Sequence, residues 1–232
     1  MALLRFFRDA APERPPLRDV TTLAETLPEE ARGLCREVWG VEVRDIYSTV
    51  ECGYLALQCP EHEHYHVQAE GVVLEVVDDQ GRPCGPGEVG RVLATPLHNF
   101  ATPLLRYEVG DYAEVGVDPC PCGRGLPVIR RVVGRARNLL RLRDGRRIWP
   151  SVGILAIAEA SPIRQAQVVQ DSPDHVELRY VADRALTADE ATAVRQILLD
   201  RLGHPFDLSL AGVAEIPRSA GGKFEDFLSL LD

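Results

Sequence analysis

The chain has 232 residues, of which 45 % are hydrophobic and 26 % charged, with a formal net charge of −9 at pH 7. A chain of this length buries roughly 70 % of the surface its unfolded form exposes, enough for one large or two modest cores. Its acidic balance speaks against a nucleic-acid partner, and no apolar run approaches the ~18 residues that a membrane span requires.

Residues 11–18, rich in Pro and Arg, read as an extended entry. Over 28–39, Ala31, Leu34, Cys35 and Val38 recur at helical spacing behind a Pro-Glu-Glu first turn, which predicts a helix. Val41, Val43 and Ile46 predict a short strand that delivers Tyr-Ser-Thr-Val-Glu at 47–51. The runs 66–77, 90–95 and 112–117 are strand-like and are separated by Gly, Pro and Asp clusters such as 78–88. They predict a small β-rich layer.

Further along, 139–149 predicts a hairpin with a tight primed turn at Asp144-Gly145. A helix is expected from Pro150 to about Ala160, then strands over 165–170 and 175–182. Thr187 with Glu190 three residues on is a capping box, opening a helix that ends at Leu202. A strand near 208–216, a loop over 217–223 and a last helix complete the pattern. The expected fold class is α+β in two parts: 1–134 containing the β-rich layer, a hinge at 135–138, and a small α+β domain over 139–232.

Two cysteine clusters stand out. Cys59 and His66 lie seven apart, and Cys120 and Cys122 flank a proline. Three soft sulfurs and one imidazole form a closed tetrahedral set suited to Zn²⁺, clamping two loops with no position left for catalysis. The bland alternative is a set of free buried thiols. His62 and His64 are replacement ligands or exposed loop histidines. Cys35, Cys52 and Cys84 read as packing or inert thiols. Nine arginines between Arg124 and Arg147 would attract a nucleotide or pantetheine phosphate, or else form a solvated strand face. With no secretory pattern near Met1, the expected compartment is the cytoplasm, where thiols stay reduced.

Five segments in order, 47–51, 104–111, 120–127, 134–138 and 217–223, resemble the adenylate-forming enzymes. The cysteine clusters resemble the phenylacetate–coenzyme A ligase branch of that superfamily. The likeness runs from about residue 17 onward and implies a C-terminal half: a remnant of the large adenylation domain with a zinc-stapled β-rich layer, then a small mobile lid domain. It implies Glu51 as the Mg²⁺-binding glutamate, Asp111 as the ribose-binding carboxylate and Arg135 as a second ribose or phosphate contact. Tyr47 and Arg106 fall among the nucleotide-binding positions. Lys223 corresponds to the mobile lysine that reaches the acyl carboxylate and the α-phosphate. Cys59, His66, Cys120 and Cys122 match a structural zinc site.

Val50 stands where the family carries Thr or Ser, and Arg137-Asn138 where the hinge commonly has Asp. The Ser/Thr/Gly-rich phosphate loop that ends in Lys has no counterpart in the chain. The implied activity is ATP- and Mg²⁺-dependent activation of an aromatic or other hydrophobic carboxylic acid, with coenzyme A or a carrier protein as acceptor. The chain would then act as a homodimer or with a separate N-terminal half. The alternative is a non-catalytic, zinc-containing binding or partner module. An exposed apolar patch is expected on the strand ending at Tyr47 and the helix before it, where a partner would pack.

Overall fold

The computed structural model describes residues 16–23, 27, 29–218 and 224–231. The chain divides into two compact units, Met1–Arg135 and Ala136–Asp232. The first is built on an eight-stranded sheet in the order β1-β2-β3-β4-β8-β7-β6-β5. Its strands are β1 (Val20–Leu23), β2 (Val43–Thr49), β3 (Gly53–Gln58), β4 (Tyr65–Val67), β5 (Val72–Val77), β6 (Val89–Pro96), β7 (Tyr107–Val115) and β8 (Val128–Arg135). Every neighbouring pair is antiparallel except β1 with β2.

Helix α1 (Glu29–Trp39) lies between β1 and β2 in sequence. Its stripe of Ala31, Leu34, Cys35 and Val38 is at most 7 % exposed, as an amphipathic helix on a sheet requires. Arg32 ties the helix to β2 by donating from Nη1 to the Val43 carbonyl at 2.7 Å. Val43 and Tyr47 are buried as well, so among the described residues the apolar patch expected on this helix and strand is not exposed. The exposed large apolar side chains sit elsewhere, notably Phe100 and Leu105 in the connection before β7 and Val50 beyond the end of β2.

The strand-like run 66–77 is broken into β4 and β5 by a turn in which the Gly71 N–H donates to the Gln68 carbonyl at 2.8 Å. At the other end of the layer, β7 and β8 are joined by the long cysteine loop. Gly116 is needed at its neck, because a Cβ there would lie 2.3 Å from Val128 Cγ1. The loop can thus leave and re-enter the sheet through one narrow point.

The sheet is strongly curled. Tyr47 on β2 and Asp111 on β7 are separated by β3, β4 and β8 in the strand order, which in a flat sheet means roughly 19 Å. Their side chains nonetheless meet, so β2 and β7 must wrap toward each other. Leu55, Ala56, Tyr65, Val67, Val92, Ala113 and Ile129 fill the inside of that curl.

The second unit opens with a 3-10 turn at Ala136–Asn138 and a hairpin of β9 (Leu140–Arg141) and β10 (Arg147–Ile148). The hairpin is as expected, but its turn sits earlier than the two-residue form. Gly145 has φ 84° and donates its N–H to the Leu142 carbonyl at 3.0 Å. This is the three-residue solution, with glycine in the left-handed position.

Helix α2 (Ile154–Ala160) starts four residues later than the Pro150 signal suggests, behind a left-handed Gly153. β11 (Ile163–Ser172) and β12 (His175–Ala182) form an antiparallel pair. Helix α3 (Ala188–Leu202) then crosses to β13 (Asp207–Gly212), parallel to β12. Its N-terminus carries the full capping box of Thr187 and Glu190. β13 ends well before Ile216, the bound suggested by its apolar pattern.

The expected last helix is instead a strand, β14 (Phe227–Ser229), lying parallel to β11. Phe227 is 1 % exposed in the core, and backbone bonds hold the strand at both ends, Val168 N–H to the Asp226 carbonyl and Leu230 N–H to the Gln170 carbonyl, each 2.8 Å. A short C-terminal segment gains more from an open strand edge than from one or two isolated helical turns. Around this sheet, Ile157, Val168, Leu178, Val194, Leu198 and Phe227 form one continuous apolar core.

Candidate nucleotide and metal sites

Asp111 and Arg135 are direct register partners on β7 and β8. The Asp111 carboxylate is 7 % exposed and accepts from the Tyr47 hydroxyl at 2.9 Å on Oδ2. Arg135 Nε lies 3.4 Å from Oδ1. Burial, then the adjacent carboxylate, pushes the Tyr47 phenol far above its usual range, so it remains a donor. Two residues far apart in sequence, Tyr47 and Arg135, thus converge on one acid.

Glu51 stands in the exposed turn between β2 and β3. That turn is closed by Thr49, whose Oγ1 accepts from the Cys52 N–H at 3.0 Å. The hydroxyl just upstream of Val50 therefore serves the backbone. Arg106 pairs with Glu75 of β5 at 3.0 Å, and its own N–H is captured by Thr95 Oγ1 at 2.8 Å. It is the only non-glycine residue with positive φ among the described residues, at 47°. Lys223 lies outside the described residues. Tyr47, Asp111 and Arg135 are thus brought together, whereas Arg106 is engaged with another strand.

The arginine-rich stretch is largely neutralised. Arg130 and Arg131 both bind the buried Glu114, at 2.6 and 2.8 Å. Arg143 pairs with Asp174 and Arg146 with Asp144. Burial alone would raise the Glu114 carboxyl, but hydrogen bonds from Arg131 and Arg130 outweigh it and hold the group below the usual carboxylate range.

The second cluster follows from topology. The β3–β4 hairpin carries Cys59 just past its first strand and His66 on its second, and its loop is closed by Cys59 N–H to the His64 carbonyl at 2.8 Å. The β7–β8 loop carries Cys120 and Cys122. β4 and β8 are neighbours, with His66 opposite Val128, so the two loops emerge side by side. One ligand atom from each of Cys59, His66, Cys120 and Cys122 lies within 4.8 Å of all the others.

These four residues fit a tetrahedral metal. Bonds of about 2.3 Å to sulfur and 2.0–2.1 Å to nitrogen require S···S and S···N edges of about 3.8 and 3.5 Å. Cys59 and Cys120 sulfurs are 3.9 Å apart, and Cys122 Sγ is 3.4 Å from His66 Nε2. All three cysteines are free thiols. His66 Nδ1 is buried without a hydrogen-bond partner, so the ring's polar engagement runs through Nε2. The backbone N–H of Arg124, then its guanidinium, hold the Cys122 thiol down to about 6.

Two neighbours of this cluster had other readings in the sequence. His64, expected as a replacement ligand or an exposed loop histidine, lies with Nε2 2.9 Å from Cys120 Sγ, and Arg124, expected only as part of the arginine-rich stretch, donates from Nη1 to Cys122 Sγ at 3.5 Å. The only sequence signal is the alternation of His62, His64 and His66, which does not say which imidazole meets which sulfur.

Residues 142–228 match the CapK C-terminal domain family. A phenylacetate–coenzyme A ligase of Thermus thermophilus is 29 % identical over 250 aligned positions, covering 96 % of this chain and 56 % of the ligase. The chain thus spans little more than half the length of that relative. Among solved structures, 2-hydroxyisobutyryl-CoA ligase bound to 2-HIB-AMP superposes with a TM-score of 0.66 at 21 % identity, over 87 % of this chain and 45 % of that one. The anthranilate CoA ligase AuaEII with anthranoyl-AMP gives 0.62 at 19 %, over 89 % and 43 %. o-Succinylbenzoate CoA synthetase of Bacillus subtilis, with its acyl-adenylate OSB-AMP, gives 0.63 at 16 %, over 96 % and 48 %. The chain resembles adenylate-forming ligases of the phenylacetate–coenzyme A ligase-like branch, and it is their C-terminal half that it matches.

Proposed function

We propose that this chain contributes the nucleotide-gripping and lid portions of an AMP-forming ligase that activates an aromatic or other hydrophobic carboxylic acid. The reading rests on one observation, the buried Asp111 carboxylate held between Tyr47 and Arg135. In it, the Asp111 carboxylate accepts from the two ribose hydroxyls of ATP, and Arg135 faces the sugar or a phosphate. The acid's carboxylate attacks the α-phosphorus and pyrophosphate departs, so catalysis consists of positioning and charge stabilisation. Lys223 supplies positive charge at the α-phosphate and acyl carboxylate. Glu51, exposed in its turn, is the protein ligand for Mg²⁺, which neutralises phosphate charge when bound. The acyl group then passes to coenzyme A or a carrier protein, after rotation about 135–138. Acyl-adenylates bound to relatives of the same fold support the chemistry.

The phosphate loop would come from a separate N-terminal half; a homodimer in the cytoplasm, in which neither copy carries that loop, would work through a shortened site. Cys59, His66, Cys120 and Cys122 would hold a structural Zn²⁺ that fastens the β3–β4 and β7–β8 loops. A second reading, a non-catalytic zinc-containing binding module, draws on the same cluster: both oxygens of Asp111 already have partners within the chain.

Calorimetric titration with ATP·Mg²⁺, alone and with aryl acids, followed by pyrophosphate exchange, separates the two. Binding heat that Asp111→Ala removes supports the ligase reading. Absence of both heat and exchange, with and without the N-terminal half of a related ligase, leaves the binding module.

A further inference from the structure

The spacing of histidines in 62–66 leaves the metal cluster with more imidazoles than it needs, and the distances divide their roles. Two ligands of one tetrahedral ion, a sulfur and a nitrogen, stand about 3.5 Å apart. Cys122 and His66, at 3.4 Å, fit that edge. His64 Nε2 and Cys120 Sγ are closer than that edge, at 2.9 Å, and His64 lies outside the donor set whose atoms are all within 4.8 Å of one another, so its contact with Cys120 is a hydrogen bond to the sulfur. A metal-bound thiolate has no proton to give, so the bond can exist only with the proton on His64 Nε2.

The neighbourhood is arranged for that bond. His62 stacks on the His64 ring, with centroids 5.1 Å apart and planes at 27°, and His66 meets it edge-on at 5.4 Å. Peptide N–H groups and one guanidinium also face the three sulfurs. Glu61 N–H points at Cys59 Sγ and Cys122 N–H at Cys120 Sγ, each 3.5 Å, and Arg124 Nη1 reaches Cys122 Sγ at the same distance. Three thiolates around a divalent ion leave one net negative charge. N–H donors and one guanidinium disperse it, and Cys120 alone receives an imidazole.

Building on the zinc site proposed above, we propose that His64 is a positioning residue of that site, donating its Nε2–H to the Cys120 thiolate while His66 is the nitrogen ligand. The hydrogen bond withdraws electron density from sulfur, fixes its direction and shields it from competing protons. Outer-sphere partners of this kind are worth about 10–100-fold in metal affinity.

The test uses the full chain loaded with Zn²⁺ or Co²⁺. Competition with a chromophoric chelator reads affinity, and the cobalt spectrum reads the donor set. His64→Ala is expected to weaken metal binding about 10–100-fold while keeping the ligand-field bands of a three-sulfur, one-nitrogen site. Its sulfur-to-cobalt charge-transfer band should move to lower energy, because the thiolate loses a donor. His64→Gln, which retains an N–H, should recover part of both changes, and His62→Ala should shift neither band. His66→Ala should alter the ligand-field bands themselves. If His64→Ala leaves affinity and charge-transfer energy unchanged, or changes the ligand field as His66→Ala does, the assignment is overturned. A wild-type protein that takes up neither metal overturns the zinc reading itself.

Discussion

The two units reach stability by different means. Ala136–Asp232 has one continuous apolar core in which strands and both helices share the same buried side chains. In Met1–Arg135 the apolar core inside the curled sheet is accompanied by a separate small cluster of Cys59, Cys120 and Val128. Polar bonds join strands that are not neighbours, Tyr47 to Asp111 and Tyr65 to Asp45, the latter at 2.8 Å, and Thr22 of the adjacent β1 adds a bond to Asp45 at 2.6 Å. Apolar packing is non-directional and tolerates adjustment, whereas a buried carboxylate or metal cluster fixes geometry and fails abruptly when one partner goes. The candidate sites described here belong to the second kind of construction.

That contrast can be broken most forcefully at the cysteines. Structural zinc contributes roughly 10–16 kcal/mol of apparent binding energy in small folds, so Cys120→Ser should abolish stoichiometric metal and lower the first unit's melting transition by the largest margin of any single change. The second unit's transition should stay in place. Metal analysis with calorimetry checks both, and an unmoved first transition would place the stabilisation elsewhere.

Truncating the second core comes next. Leu178→Ala or Leu198→Ala, both at 0 % exposure, should cost about 2–5 kcal/mol in denaturant unfolding. Tyr47→Phe should cost about 1–3 kcal/mol, the penalty for leaving a buried charged acceptor short of a donor. It should also weaken any nucleotide binding, because Asp111 loses its orientation. Unchanged stability would mean that water replaces the hydroxyl.

At the smaller end, Thr187→Ala should cost about 1 kcal/mol by removing the cap of α3. Its partner Glu190 is held down to about 2, first by Arg184 and then by the Thr187 N–H. A depressed carboxyl contributes stability above its unfolded value of about 4.3. That contribution should fade as pH falls from about 4 through 2. Glu190→Gln should therefore matter less at pH 2 than at pH 6, as acid and neutral urea melts would show.

Local patterns were legible where a short stretch carries its own reasons. The stripe of α1, the capping box of α3 and the 139–149 hairpin could all be read from spacing and turn chemistry. The pairing of Cys59 and His66 with Cys120 and Cys122 was legible as a donor set, because few other residue combinations suit a closed tetrahedral ion. The last strand was not, since the apolar residues of 224–231 suit either period, and the choice was made by the open edge of β11. Arg106 pointed toward the nucleotide by resemblance, but its engagement with Glu75 depends on the register of β5, β6 and β7.

By itself the sequence determined which side chains were available, among them an acid, an arginine, three sulfurs and three imidazoles. Tertiary structure alone decided which of them meet. Curling of the sheet carries Tyr47 across three intervening strands to Asp111, and adjacency of β4 and β8 sets two distant loops side by side. The reason is that periodicity reports only which face of an element is buried, while the closing of a sheet is fixed by the sum of its twist, bulges and core volume.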